Sequence, residues 1–179
     1  MRSFFPVFLA GMLAVPAFAQ DGKTNAQPDL KTTAQAPGIT ILVTAGVVSA
    51  PFVLTNGYLH QPGLQTEVSE GGKAVFDFTI TNAGDYVIHA VVNAPAEDSN
   101  SFFLNIDAKP EDPLTIWDID VTSGFEERVV SWRGDGAADS DQFAPKRFKL
   151  APGKHQLFIY GREPDAQLKS LTLRPVKAE

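Results

Sequence analysis

Apolar residues at every second position constrain this chain more than any other feature. Ala74, Phe76, Phe78 and Ile80 alternate with Val75, Asp77 and Thr79. Only an extended strand gathers such residues on one face. Tyr86, Ile88, Ala90 and Val92 repeat the pattern, and Phe102, Leu104 and Ile106 do so again. The turn Thr81-Asn82-Ala83-Gly84-Asp85 between the first two runs predicts that they pair as an antiparallel hairpin. Further strands are expected over 39–44, 47–54, 147–150, 155–160 and 168–173, the last three separated by turns such as Ala151-Pro152-Gly153-Lys154. No stretch keeps a helical apolar stripe over three turns. With 14 Gly and 13 Pro to punctuate short strands, the expectation is an all-β, two-sheet antiparallel sandwich in one domain.

The ends of the chain read differently. Met1-Arg2-Ser3 carries one positive charge, residues 4–15 are apolar, Pro16 breaks the run, and Ala17-Phe18-Ala19 offers small residues to a signal peptidase. Residues 1–19 are therefore expected to be a cleaved secretory signal. The apolar run is shorter than the roughly 20 residues that span a bilayer core, and no other segment is long and apolar enough. Export places the product in the periplasm or outside the cell. Residues 20–37 form a polar leader with too few large apolar groups to offset ordering entropy. The sandwich is assigned to 38–177. The absence of cysteine excludes disulfides, thiolate metal sites and a cysteine nucleophile. Fifteen basic against 21 acidic residues give a net charge of −6, which repels phosphate backbones and argues against a nucleic-acid partner.

Three blocks then occur in order. Phe76-Asp77-Phe78 precedes Gly84-Asp85-Tyr86-Val87-Ile88-His89-Ala90. Ser99-Asn100-Ser101-Phe102-Phe103-Leu104-Asn105-Ile106-Asp107 follows. Phe148-Lys149-Leu150-Ala151-Pro152-Gly153-Lys154-His155-Gln156-Leu157 closes the series, with Gly161-Arg162-Glu163 and Leu168 behind it. Over about 39–175 this series resembles the family 6 and family 35 carbohydrate-binding modules and their galactose-binding-like relatives. The resemblance implies a jelly roll and a non-catalytic module, of a kind that usually accompanies secreted polysaccharide-active or cell-surface proteins. Here the module makes up nearly all of the expected mature chain. Relatives hold a structural calcium with a Glu-x-Glu pair in the first strand and an Asp after the Leu of the last. Those positions align with Leu42, Thr44 and Lys169, an apolar residue, a hydroxyl and a cation. Calcium needs several oxygen ligands, so no metal and no cofactor is expected there.

Catalysis has little support. His60, His89 and His155 are scattered, and neither HExxH nor G-x-S-x-G occurs. Asp118/Asp120 and Glu126/Glu127 read as solvated loop charge rather than a glycosidase pair. The acidic stretch 135–141 lacks the spacing of a calcium loop. The chain is therefore expected not to be an enzyme. Sugar recognition needs an aromatic face and a few polar side chains for hydroxyls. Trp132, at a strand end before a polar loop, is the candidate platform. Tyr160 and Arg162 share one strand face, Glu163 follows, and Asn100 supplies a loop amide; the Arg-Glu pair also resembles one found in relatives. Trp117 reads as core, as does His155 after its Pro-Gly turn. Two functions remain open: a glycan-binding module with its site at a loop-lined end, or a structural domain that meets a cell-envelope protein after losing its sugar and calcium sites.

Overall fold

The computed structural model describes residues 38–134 and 142–177. Twelve strands fill them: β1 (Ile39–Leu42), β2 (Val47–Ser49), β3 (Val53–Thr55), β4 (Tyr58–His60), β5 (Lys73–Ile80), β6 (Gly84–Asn93), β7 (Ser101–Ile106), β8 (Ile116–Asp118), β9 (Glu126–Val129), β10 (Phe148–Leu150), β11 (Gly153–Gly161) and β12 (Gln167–Pro175). One single-turn 3-10 helix, Val43–Ala45, is the only helical element among the described residues. The strands form two antiparallel sheets. Seven lie in one, ordered β10-β6-β12-β4-β3, with β1 beside β12 and β9 beside β6; five lie in the other, ordered β2-β5-β11-β7-β8. The architecture is thus the expected two-sheet β-sandwich. No helix among the described residues is long and apolar enough to cross a membrane.

Alternation in sequence becomes the core directly. Phe76, Ile80, Ile88, Val92, Phe102, Leu104, Leu157, Ile159, Leu168 and Leu171 are all buried between the sheets. Each such side chain removed from water contributes roughly 1.5–3 kcal/mol. Trp117 is fully buried, and its indole N–H donates to the Val129 carbonyl at 3.2 Å. That bond satisfies the one polar atom this ring brings inside.

Two strand expectations need correction. β5 and β6 do not form a hairpin: β5 pairs with β2 and β11, whereas β6 pairs with β10, β12 and β9. The intervening turn lifts the chain from one sheet to the other, so both apolar faces look into the same core. Alternation alone cannot distinguish this arch from a hairpin, because both bury the same residues. The stretch 47–54 is likewise not one strand but β2 in the smaller sheet and part of β3 in the larger. β3 and β4 do make a hairpin, with Asn56 and Gly57 both at positive φ (48° and 77°) in the turn, as a type I′ connection requires.

Close backbone approach fixes the loop before β5. Gln61, 1% exposed, accepts the Gly72 N–H at 2.7 Å and donates to Thr66 Oγ1 at 2.9 Å. A Cβ on Gly161 would lie 2.1 Å from Gln61 Oε1. Glycine at the end of β11 is what lets the loop dock.

Candidate functional site

The structure brings three of the expected site residues together. Arg162 forms an ion pair with Glu163 and donates to Ser101 Oγ at 2.7 Å. Glu163, 7% exposed, accepts the Asn100 backbone N–H at 2.9 Å. Ser101 stands opposite Asp118 in the β7–β8 register. Asp118, 4% exposed, receives Arg133 through two parallel N–H donors, the second at 2.7 Å. The Asp118 hydrogen bond is the largest influence holding the Arg133 guanidinium pKa above its ordinary value, against the opposing effect of burial. Charges of alternating sign thus run along the outer face of the five-stranded sheet, each held by protein partners. Such a constellation clamps loops: its hydrogen-bonding capacity is directed at the chain itself.

Tyr160 adjoins this row on the same face, as the period of two requires, but only 6% of it is exposed. It packs with Phe103 and Ile116, and with the partly buried Val68 and Phe158, in a small second apolar cluster. Burial raises its phenol pKa. Trp132 lies apart from these groups. Its indole N–H donates to the Leu104 carbonyl at 2.9 Å, its ring meets Phe148 edge-on at 5.7 Å, and Lys146 Nζ sits 4.0 Å from the ring centroid. The ring is partly buried against the main core. One of its faces therefore already carries a cation.

The positions aligned with calcium ligands are occupied otherwise. Leu42 is 56% exposed at the end of β1, and Lys169 Nζ lies 4.5 Å from the Phe125 ring. The acidic stretch 135–141 lies outside the described residues. His155 is a structural clamp: Nδ1 meets Asp107 at 2.6 Å, Nε2 meets the Ala151 carbonyl at 2.8 Å, and the ring stacks on Phe78. Both ring nitrogens face acceptors. The hydrogen bond to Asp107 leads in raising the imidazole pKa above its usual value.

The open aromatic surface lies elsewhere, on the outer face of the seven-stranded sheet. Leu59 points into the core, so Tyr58 and His60 on either side of it point out. Phe125 precedes β9 and reaches across β6 and β12 to meet the Tyr58 ring, centroid to centroid at 5.6 Å. Tyr58 is half-buried and Phe125 is 36% exposed. Polar groups border the pair. Gln167 lies opposite both His60 and Asn93, and its Oε1 accepts from Asn93 Nδ2 at 3.2 Å. His60 Nδ1 is buried without a hydrogen bond, 3.7 Å from Asp165 Oδ1. Two half-wet rings beside amides and an ammonium are the composition that stacking on a pyranose ring calls for. Sequence reading missed this surface, because Tyr58 sits in a three-residue strand and Phe125 in a loop. The Asn56-Gly57 turn signal was the one available clue to the β3–β4 hairpin.

Comparison with known proteins places the fold. No family model matches the chain, and no curated protein matches it. Solved structures do. A family 35 carbohydrate-binding module from Clostridium thermocellum superposes with a TM-score of 0.55 at 10% identity, covering 79% of this chain and 100% of the module. The C-terminal family 6 module of a marine laminarinase from Zobellia galactanivorans gives 0.51 at 11% identity, covering 76% and 98%. The GH26-CBM35 β-(1,4)-mannanase of Podospora anserina gives 0.54 at 11% identity, covering 80% of this chain but only 28% of the mannanase. Likeness at such identities speaks for the fold. The superpositions show that this domain has the two-sheet β-sandwich fold of family 6 and family 35 carbohydrate-binding modules.

Proposed function

We propose that this protein is an exported, non-catalytic glycan-binding module whose platform is the Tyr58–Phe125 pair on the outer face of the seven-stranded sheet. The single observation that carries the reading is that pair of half-wet rings, meeting at a tilt of 51° with Lys169 over Phe125 and bordered by hydrogen-bonding side chains. The phenolic oxygen of Tyr58 and the amide nitrogen of Gln167 have no hydrogen-bond partner among the described residues. Hydroxyl groups of a sugar would complete them. Asn100, Arg162 and Glu163 serve in this reading as the clamp that holds the opposite face shut, Tyr160 as part of its apolar packing, and Trp132 as an edge plug. The superposed modules support the substrate class through fold alone, and the secretory signal expected at 1–19 supports export.

A glycan array probed with the chain lacking residues 1–19 tests the reading. Binding of at least one glycan is expected, with loss on Phe125→Ala while the melting curve stays near wild type. An array without signal would turn the assignment toward a structural domain that meets a protein of the cell envelope.

A further inference from the structure

The chain is acidic overall, yet one part of its surface is not. A cleft of about 500 Å³ on the outer face of the seven-stranded sheet is lined by Val87, His89, Val129, Arg147, Val176 and Lys177, with Pro145 and Pro175, and no carboxylate faces it among the described residues. It continues into a second cleft where Arg147 and Lys177 recur beside Lys149, with Asp85 as the one acid. Lys149 lies on the edge strand β10 and Arg147 just precedes it; with Phe148 between them buried, both are exposed beside the same cleft. Lys177 follows β12, beside them.

The described cations differ in what they already hold. Arg128, Arg133, Arg162 and Arg174 each hold a carboxylate. Lys73, Lys146 and Lys169 each lie over an aromatic ring. Arg147, Lys149 and Lys177, like Lys109 and Lys154, have neither kind of partner among the described residues and are exposed; what distinguishes the three is that they gather at these two adjoining clefts. The nearest acid in the centre of the face, Glu127, is already occupied: Arg174 reaches both its oxygens, at 3.0 and 2.7 Å, and His89 Nδ1 lies 3.0 Å from it. Arg174 leads in lowering the Glu127 pKa, which favours the ionised carboxylate and keeps it engaged with Arg174. Three cations against one acid, Asp85 opposite Lys149, around an apolar-floored cleft concentrate positive potential at one place on an otherwise acidic molecule.

We propose that this cleft binds the charged groups of a polyanionic saccharide, one carrying sulfate or carboxylate along its length. The inference rests on the glycan-binding reading and assigns it a second contact on the same sheet face, at the end away from Tyr58 and Phe125. The apolar floor of Val87, Val129 and Val176 meets the C–H surface of the sugar, while Arg147, Lys149 and Lys177 meet its anions. Lysines act as point charges and tolerate sulfate or carboxylate alike, whereas Arg147 adds a planar fork.

Binding of the chain lacking residues 1–19 to dextran sulfate, polygalacturonate and neutral dextran, at 50 and 200 mM salt, tests the proposal. At least one of the two acidic polymers is expected to bind, neutral dextran much more weakly, and raising the salt is expected to weaken the acidic complex by about tenfold. The tighter of the two acidic polymers identifies sulfate or carboxylate as the preferred group. The triple variant R147Q/K149Q/K177Q should fold normally, since all three side chains are exposed, and should lose about tenfold or more in affinity. Wild-type affinity in the triple variant, equal binding to neutral dextran, or tighter binding to phosphatidylglycerol vesicles than to either acidic polymer would each overturn it. The same proteins tested on a neutral glycan found by array separate the two claims. If the triple variant keeps that glycan and Phe125→Ala loses it, the platform stands whatever the acidic polymers do.

Discussion

The two outer faces of this sandwich have similar residue types and opposite fates. On the five-stranded sheet, Ser101, Asp118, Tyr160 and Glu163 are all buried, and Arg162 and Arg133 each bind a carboxylate. The segment before β5 closes over them: the Thr66 N–H donates to the Arg162 carbonyl at 2.8 Å, and Val68 packs on the Tyr160 cluster. On the seven-stranded sheet, Tyr58 and Phe125 stay half-wet, and Arg147, Lys149 and Lys177 hold no anion among the described residues. Side chains that satisfy one another hold the protein together; side chains whose capacity is unused are where a ligand gains most.

The largest expected effect breaks the closed face. Asp118→Ala leaves Arg133 partly buried without its carboxylate, and should cost about 3–5 kcal/mol of stability in a denaturant melt. A loss under about 1 kcal/mol would mean that this row is solvated and the contrast between the faces is false. Trp132→Ala comes next. Removing the ring also strands the Leu104 carbonyl and the Phe148 edge contact, and should cost about 3 kcal/mol while leaving glycan affinity intact in the folded fraction. A fully stable variant that no longer binds would instead make Trp132 the platform. Phe125→Ala should show the reverse: a stability change near 0.5 kcal/mol, as for exposed positions, and a loss of about 1 kcal/mol or more in glycan binding.

The smallest effect is in pH. The folded-state pKa of His155 is raised, chiefly by its hydrogen bond to Asp107. The stabilisation from protonated His155 is therefore fully present below the unfolded-state pKa, about 6.5, and is lost as pH rises through the higher folded-state value. Melts of the wild type between pH 5.5 and 8.5 should fall more steeply than those of His155→Gln. Parallel curves would show that the clamp contributes nothing.

How much of this was legible in the sequence follows from periodicity. The strands β5, β6, β7, β11 and β12 are long enough to show an alternation, and the two-sheet class follows from them. Their pairing is not legible: an arch and a hairpin bury Phe76, Phe78, Tyr86 and Ile88 identically, so only the fold tells them apart. The cluster of Asn100, Arg162 and Glu163 could be suspected from residue types, but not that Glu163 would meet the Asn100 backbone and Arg162 would bind Glu163 and Ser101. Tyr58 and Phe125 had no local signal, because a three-residue strand and a loop carry no period. They meet only because β6, β12 and β4 are neighbours in the larger sheet. Contacts between distant segments are what a single sequence conceals most completely.

The central claim is that the seven-stranded sheet, not the closed face opposite, meets the ligand. Isotherms of the wild type, Tyr58→Ala/Phe125→Ala and Arg162→Ala against one array-positive glycan test it most directly. At least tenfold weaker binding is expected for the double aromatic variant with its fold intact, about 1.4 kcal/mol or more, and wild-type affinity for the folded fraction of Arg162→Ala. Unchanged affinity in the double variant, with binding lost in folded Arg162→Ala, would contradict it.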